Sequence, residues 1–147
     1  MKKFELTAES KIFAGKKLFR IKALLSFGDV KEGELGGYVE KEENLSNDGN
    51  AWVYGNARVY GNARVSGDAE VFGDADYATV HGFGSEYRTT TFFRTKAGDI
   101  GVRCGCFYGT LEEFRAKVKE THGETKTAKE YLMVADLMEF RFSKEEA

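Results

Sequence analysis

The side chains best suited to chemistry fall between positions 81 and 106: His81, Tyr87, Arg88, Arg94, Lys96, Arg103, and the pair Cys104 and Cys106. Guanidinium groups fork onto phosphate and aromatic rings lie against bases, so Arg88, Arg94, Lys96 and Arg103, with Tyr87 and His81, form a candidate ligand patch for a nucleotide. Arg94 and Lys96 share strand parity, and hairpin pairing can set Arg103 beside them. The bland alternative for the same residues is a solvated strand face. His81 is the one candidate general base, although a lone histidine in a glycine-rich turn is more often structural. His122 precedes Gly123 at an expected helix end, where an imidazole complements the helix dipole. Gly82-Phe83-Gly84-Ser85 resembles a phosphate-cradling loop only weakly, since no Lys-Ser or Lys-Thr pair follows it. Cys104 and Cys106 project from one face of a strand and are read as reduced, packed thiols, because such close neighbours rarely make an unstrained disulfide. The C-x-C and isolated-His spacings match no usual metal pattern, so neither metal nor cofactor is expected, and no catalytic set emerges.

These residues follow a repeat. From Val53 the chain reads Val-Tyr-Gly-Asn-Ala-Arg, Val59-Tyr-Gly-Asn-Ala-Arg, Val65-Ser-Gly-Asp-Ala-Glu and Val71-Phe-Gly-Asp-Ala-Asp, and Asn47 to Trp52 keeps the same glycine, asparagine and alanine phases. Valine suits an inward flat face, alanine a crowded interior, and glycine before Asn or Asp a corner with positive φ. An α-helix is excluded, since glycine every six residues costs about 1 kcal/mol each time. The pattern resembles the hexapeptide-repeat left-handed β-helix family, in which three hexads make a triangular coil of about 18 residues. Stacking at that spacing sets Val53 on Val71, Tyr54 on Phe72, Ala57 on Ala75, Val59 on Tyr77 and Arg58 on Asp76. Trp52, Tyr54, Tyr60 and Phe72 would then point outward. They are expected either to lie under the protein's own lobes or to form an interface for self-association or a partner.

The flanks read as caps. Phe19, Ile21, Ala23 and Leu25 alternate with Arg20 and Lys22 as in a half-buried strand. Thr89 to Lys96 and Ile100 to Phe107 form a hairpin around Ala97-Gly98-Asp99. Thr110-Leu-Glu-Glu113 opens a helix closed by Gly123, and Thr127-Ala-Lys-Glu130 opens a second. The expected fold is mainly β: an N-terminal strand cap over 1–34, a short left-handed parallel β-helix over 35–80, and a ββαα lobe over 81–147.

The chain of 147 residues is 41% hydrophobic and 31% charged, as in an ordinary folded protein. Its net charge of −2 hides a segregation: residues 33–80 carry three basic and nine acidic side chains, while residues 1–32 carry eight basic and four acidic. An acidic solenoid repels phosphate backbones, so general DNA or RNA binding is not expected there. No apolar run reaches membrane-spanning length and no hydrophobic signal core follows Met1, so the expected address is the cytoplasm, without membrane association.

Resemblance adds context. Phe27 to Tyr38, Asn44 to Val53, the hexads, and Cys106 to Phe114 through Gly123 together resemble small hexapeptide-repeat proteins, of uncharacterised function, encoded by bacteriophages and prophages. In that setting the missing catalytic set, the outward aromatics and the basic hairpin lead to the expectation of a non-catalytic counter-defence protein that oligomerises and either sequesters a nucleotide immune signal or blocks a host immune protein. A trimerising structural module of a virion or cytoplasmic assembly is the alternative. Hexapeptide acyltransferases, in which a histidine activates the acceptor and acyl-CoA lies between subunits, give a third reading with His81 as base. It fits less well because the hexads contain no histidine.

Overall fold

The computed structural model describes residues 2–84 and 86–143. The first hairpin joins β1 (Phe4–Phe13) to β2 (Lys16–Ala23). Ala14 and Gly15 both take positive φ, 52° and 78°, the pattern of a type I′ turn whose twist matches its strands. The next elements are β3 (Leu35–Val39), a 3-10 turn at Glu42–Asn44, and the two-residue strands β4 (Trp52–Val53), β5 (Arg58–Val59) and β6 (Glu70–Val71). After a 3-10 turn at Asp74–Asp76 come β7 (Tyr77–Phe83), β8 (Arg88–Arg94), β9 (Ile100–Cys104), β10 (Phe107–Thr110), α1 (Leu111–His122) and α2 (Lys126–Phe142).

The fold class expected from the repeat is corrected. The described residues are of mixed class, 25% helical and 41% strand, in sheets of four, two and four strands, none closed, so neither a left-handed β-helix nor a solenoid is present. The physical reason lies in the lengths. Parallel pairing is confined to Tyr38–Val39 with Arg58–Val59, Trp52–Val53 with Glu70–Val71, and the single bridge of Leu45 with Val65. Of these, Val53 and Val71 are 18 residues apart, but Val39 and Val59, like Leu45 and Val65, are 20 apart. The segment upstream of the hexads lacks their template and takes up a 3-10 turn instead. Beyond Val71 the chain turns at Asp74–Asp76 and joins an antiparallel sheet, so the expected 80/81 boundary falls inside β7.

The composition of the hexads acts through packing. Ala51, Val53, Ala57, Val59, Ala63, Val65, Ala69 and Val71 are all buried in one core with Phe4, Ile21, Val39, Trp52 and Phe93. Backbones approach closely there: a Cβ on Gly37 would lie 2.5 Å from the Ala57 carbonyl oxygen and 2.7 Å from Val53 Cγ1. In β2 the buried residues are Leu18, Ile21 and Ala23. Pairing with β3 shifts between Arg20 and Lys22, which flips strand parity and turns Leu18 inward in place of Phe19.

The C-terminal lobe has four strands rather than two, in the order β10-β9-β8-β7. Phe93 and Thr91 face the hexad side, and Phe92, with Val102 of β9, packs against Leu111, Phe114 and Val118 of α1 and Tyr131, Ala135 and Met138 of α2. The Thr110–Glu113 capping box forms: Glu113 N donates to Thr110 Oγ1 at 3.2 Å, and Thr110 N to Glu113 Oε1 at 2.9 Å. The second helix starts two residues earlier than expected, with Thr125 rather than Thr127 as cap, accepting from Ala128 N at 3.2 Å. No helix among the described residues is long and apolar enough to cross a membrane.

One cation is built into the core. Lys3 is 2% exposed, and its Nζ donates to the carbonyls of Ala51 at 2.7 Å and Gly49 at 3.4 Å. Burial, only partly offset by Asp48, lowers its pKa from 10.5 to about 8. Between those values the unfolded chain binds more protons than the folded one, so stability rises with pH across the window from 8 to 10.5. Urea midpoints of the wild type measured against Lys3→Met should diverge in favour of the wild type as pH climbs through that range. Gly37→Ala is expected to cost about 1–3 kcal/mol or more by overpacking. Gly73→Ala, where a Cβ meets nothing within 4 Å, should leave the urea midpoint close to that of the wild type.

Candidate functional site

The sequence patch divides in the structure. Arg94 is committed to architecture: its Nε donates to Asp76 Oδ1 at 3.1 Å, its Nη1 to the Phe142 carbonyl at 3.0 Å, and its guanidinium lies over the Phe142 ring. Lys96 Nζ pairs with Asp29 Oδ2 at 2.6 Å and ties the β8–β9 turn to the N-terminal lobe. Tyr87 is 70% exposed at a turn with φ 51° and sits in neither of the clefts described below. Arg88, His81 and Arg103 remain, and residues outside the sequence patch join them.

A cleft of about 420 Å³ opens between the hexads and β7–β9, lined by Lys41, Glu43, Asn62, Arg64, His81, Arg88, Thr89 and Gly105. Each wall is fixed by a particular bond. Asn44, fully buried, accepts from Glu40 N and Lys41 N at 3.1 and 2.9 Å and donates to the Gly61 and Ala63 carbonyls at 3.1 and 2.9 Å. It therefore clamps the Lys41 turn against the Asn62–Arg64 corner. Arg64 N donates to Thr91 Oγ1 at 3.0 Å, fastening that corner to β8. His81 Nδ1 lies 2.8 Å from Thr89 Oγ1, which leaves its other ring nitrogen without a protein partner among the described residues.

The electrostatics are unbalanced. Arg103 pairs across the sheet with Thr91, and it donates to the Gly105 carbonyl at 2.8 Å and Ser66 Oγ at 3.2 Å. Burial and the like charge of Arg64 lower its pKa. Among the described residues neither Arg64 nor Arg103 makes an ion pair, whereas Arg20, Arg58, Arg94 and Arg115 each hold a carboxylate. Arg88 pairs with Glu86 at the surface, and Glu43 is the one carboxylate lining the cleft. A concavity with several cations, hydrogen-bond donors and little countercharge suits a small polyanion.

On the other side of Arg88 lies a second cleft of about 290 Å³, walled by Phe107, Phe114, Val118 and Tyr131 and rimmed by Lys117, Thr121 and His122. Phe114 meets Tyr131 edge-on at 5.5 Å and Phe107 at 5.9 Å, while the His122 ring lies 6.1 Å from Tyr131. Thr90 Oγ1 donates to Cys104 Sγ at 3.2 Å. Burial, with Cys104 adding to it, pushes the Tyr131 hydroxyl up to about 12. Gly105 begins the β9–β10 turn at φ 58°, and the Arg88 guanidinium occupies the space a Cβ there would need. The weak loop signal Gly82–Ser85 is partly placed: Gly84 borders the second cleft, and Ser85 lies outside the described residues.

The outward aromatics are also redistributed. Trp52 is fully buried between Phe27 and Phe4, so it is unavailable to an interface; the N-terminal hairpin covers its otherwise outward position. Tyr54 stacks on Phe72 at 4.4 Å, as the repeat spacing predicts, and Phe72 is 61% exposed. Tyr60 packs edge-on against Phe13 at 5.6 Å. Arg58 pairs with Asp74 rather than Asp76. Sequence reasoning missed Lys41, Arg64 and the Phe107–Phe114–Tyr131 cleft, and also an exposed stripe of Met133, Leu137 and Phe140 on α2.

Comparison with protein-family models gives no matching family, and comparison with curated proteins gives no matching relative. The two thiols report on the second cleft directly. Cys106 is exposed and Cys104 only partly so, with its sulfur held by Thr90. A disulfide reagent should titrate Cys106 in a fast phase and Cys104 in a slow one, and Cys106→Ser should remove the fast phase alone.

Proposed function

We propose that this protein binds a small phosphate-bearing ligand of the nucleotide class in the basic cleft, without catalysis, and acts as a phage counter-defence protein that sequesters a nucleotide immune signal. The convergence of Arg64, Arg88, Lys41 and His81 on one cleft, with Arg103 near enough to Arg64 to feel its charge and neither of those two holding a carboxylate among the described residues, carries the reading. Each charge-assisted hydrogen bond to phosphate contributes on the order of 1.5–3 kcal/mol, and anion binding relieves the repulsion between the arginines as well. The resemblance to small phage proteins supports the biological setting. Blocking of a host protein through the α2 stripe or Phe72 is the competing reading. It lacks the focused charge that favours the cleft.

Two measurements test the proposal. Small molecules released by heat from the purified full chain should include an intact phosphate compound by mass spectrometry. Pyrophosphate titrated into the emptied protein should bind with an affinity that falls as salt rises, and Arg64→Glu should weaken it at least about tenfold, equivalent to about 1.4 kcal/mol. Release of no phosphate compound together with no pyrophosphate binding would sink the reading.

A further inference from the structure

We infer that the ligand is a nucleoside diphosphate, whose base enters the aromatic cleft of Phe107, Phe114 and Tyr131 while its phosphates occupy the basic cleft on the other side of Arg88. The inference rests on the anion-binding reading above and adds to it the ligand class and its orientation.

Three observations carry it. Arg88 lines both clefts, so one guanidinium separates an apolar chamber from a cationic one at a distance spanned by a single side chain. Its position depends on Gly105, whose missing side chain leaves room for the guanidinium between the chambers. The chambers are also chemically opposite. Phe107, half-buried, and the nearly buried Phe114 and Tyr131 give the first chamber apolar aromatic walls suited to a planar heterocycle, with Thr121 and the protonated Tyr131 hydroxyl as hydrogen-bonding groups nearby. The basic chamber has Lys41, Arg64 and His81 against the single carboxylate of Glu43, which calls for more than one negative charge. A ligand matching this order has a flat aromatic body, a short linker and a multiply charged tail. A singly charged amphiphile would fill the apolar chamber and leave Arg64 and Lys41 of the basic chamber without a countercharge.

Calorimetric titration of the emptied full chain with pyrophosphate and with the four common ribonucleoside diphosphates tests the inference apart from the reading beneath it. The expected result is that at least one nucleoside diphosphate binds roughly ten- to hundredfold more tightly than pyrophosphate, the gain that one stacked base gives. Thr121→Trp, a change at an exposed position on the cleft rim, should bring that ratio down to about one by filling the base chamber. A second measurement needs no variant: an azido derivative of the bound diphosphate, 8-azido for a purine or 5-azido for a pyrimidine, photolysed on the wild-type protein, should label peptides containing β10, α1 or α2. If pyrophosphate binds and every nucleoside diphosphate binds no better, or if the label maps outside β10 and the helices, the base-chamber assignment is overturned while anion binding stands. If neither pyrophosphate nor any diphosphate binds, both fall.

Discussion

The central constraint on this molecule is that β8 is buried on both faces. Thr90, Thr91, Phe92 and Phe93 are consecutive and all inaccessible, and alternation sends Phe93 into the hexad core and Phe92 into the helix core. Two separately packed lobes thus share one strand, and a slip of one residue would exchange their core residues. Several features serve to hold the register. Gly101 of β9 lies against the Phe93 ring where no side chain fits, and Thr91 fastens the Arg64 corner. Lys96 N donates to the Asp68 carbonyl at 3.0 Å just past the end of β8. The candidate site sits where this shared strand begins, at Arg88, so it is bordered by both lobes without belonging to either.

That arrangement explains which features were legible in the sequence. The valines and alanines of the hexads are inward because short β-branched and small residues at fixed spacing meet few alternatives, and the Thr110–Glu113 cap is a local device that needs no tertiary partner. The stack of Tyr54 on Phe72 follows from the same spacing. What periodicity does not specify is where a repeat stops being continued by its neighbours. With two-residue strands, each rung depends on what lies 18 or 20 residues away, and upstream of Asn47 the template is absent. The chain therefore leaves the repeat for an antiparallel hairpin on one side and an antiparallel sheet on the other. Trp52 shows the consequence at a single residue: its phase in the hexad points outward, yet Phe4 and Phe27 from the N-terminal segment enclose it.

The candidate site was half legible for a related reason. Strand parity groups Arg94 with Lys96, but parity says nothing about countercharges contributed from distant segments, and Asp76 and Asp29 take both of them. Conversely, Lys41 and Arg64 lie in a segment whose overall charge is acidic, where composition speaks against general DNA or RNA binding and gives no pointer to a local cluster of cations. A buried asparagine reverses that at short range. By gathering four backbone groups, Asn44 turns the Lys41 loop and the Arg64 corner toward the same space.

The distribution of arginine partners then separates structural cations from available ones. Arg20 is fixed by Glu9, Tyr38 and the Gly36 carbonyl, and Arg115 by Glu112, Asp136 and Glu139, so each sits in a complete local network. Arg103 has only neutral acceptors, and its nearest strong field, that of Arg64, is repulsive. Two like charges held in proximity raise the energy of the empty protein, a cost that packing elsewhere must offset. On the proposed reading an anion beside them would recover that energy as binding affinity, and the bond from Arg64 N to Thr91 Oγ1 fixes the backbone from which the Arg64 side chain extends. The same bond that helps hold the fold's shared strand in register thus also fixes the backbone corner that carries Arg64 to the candidate cleft.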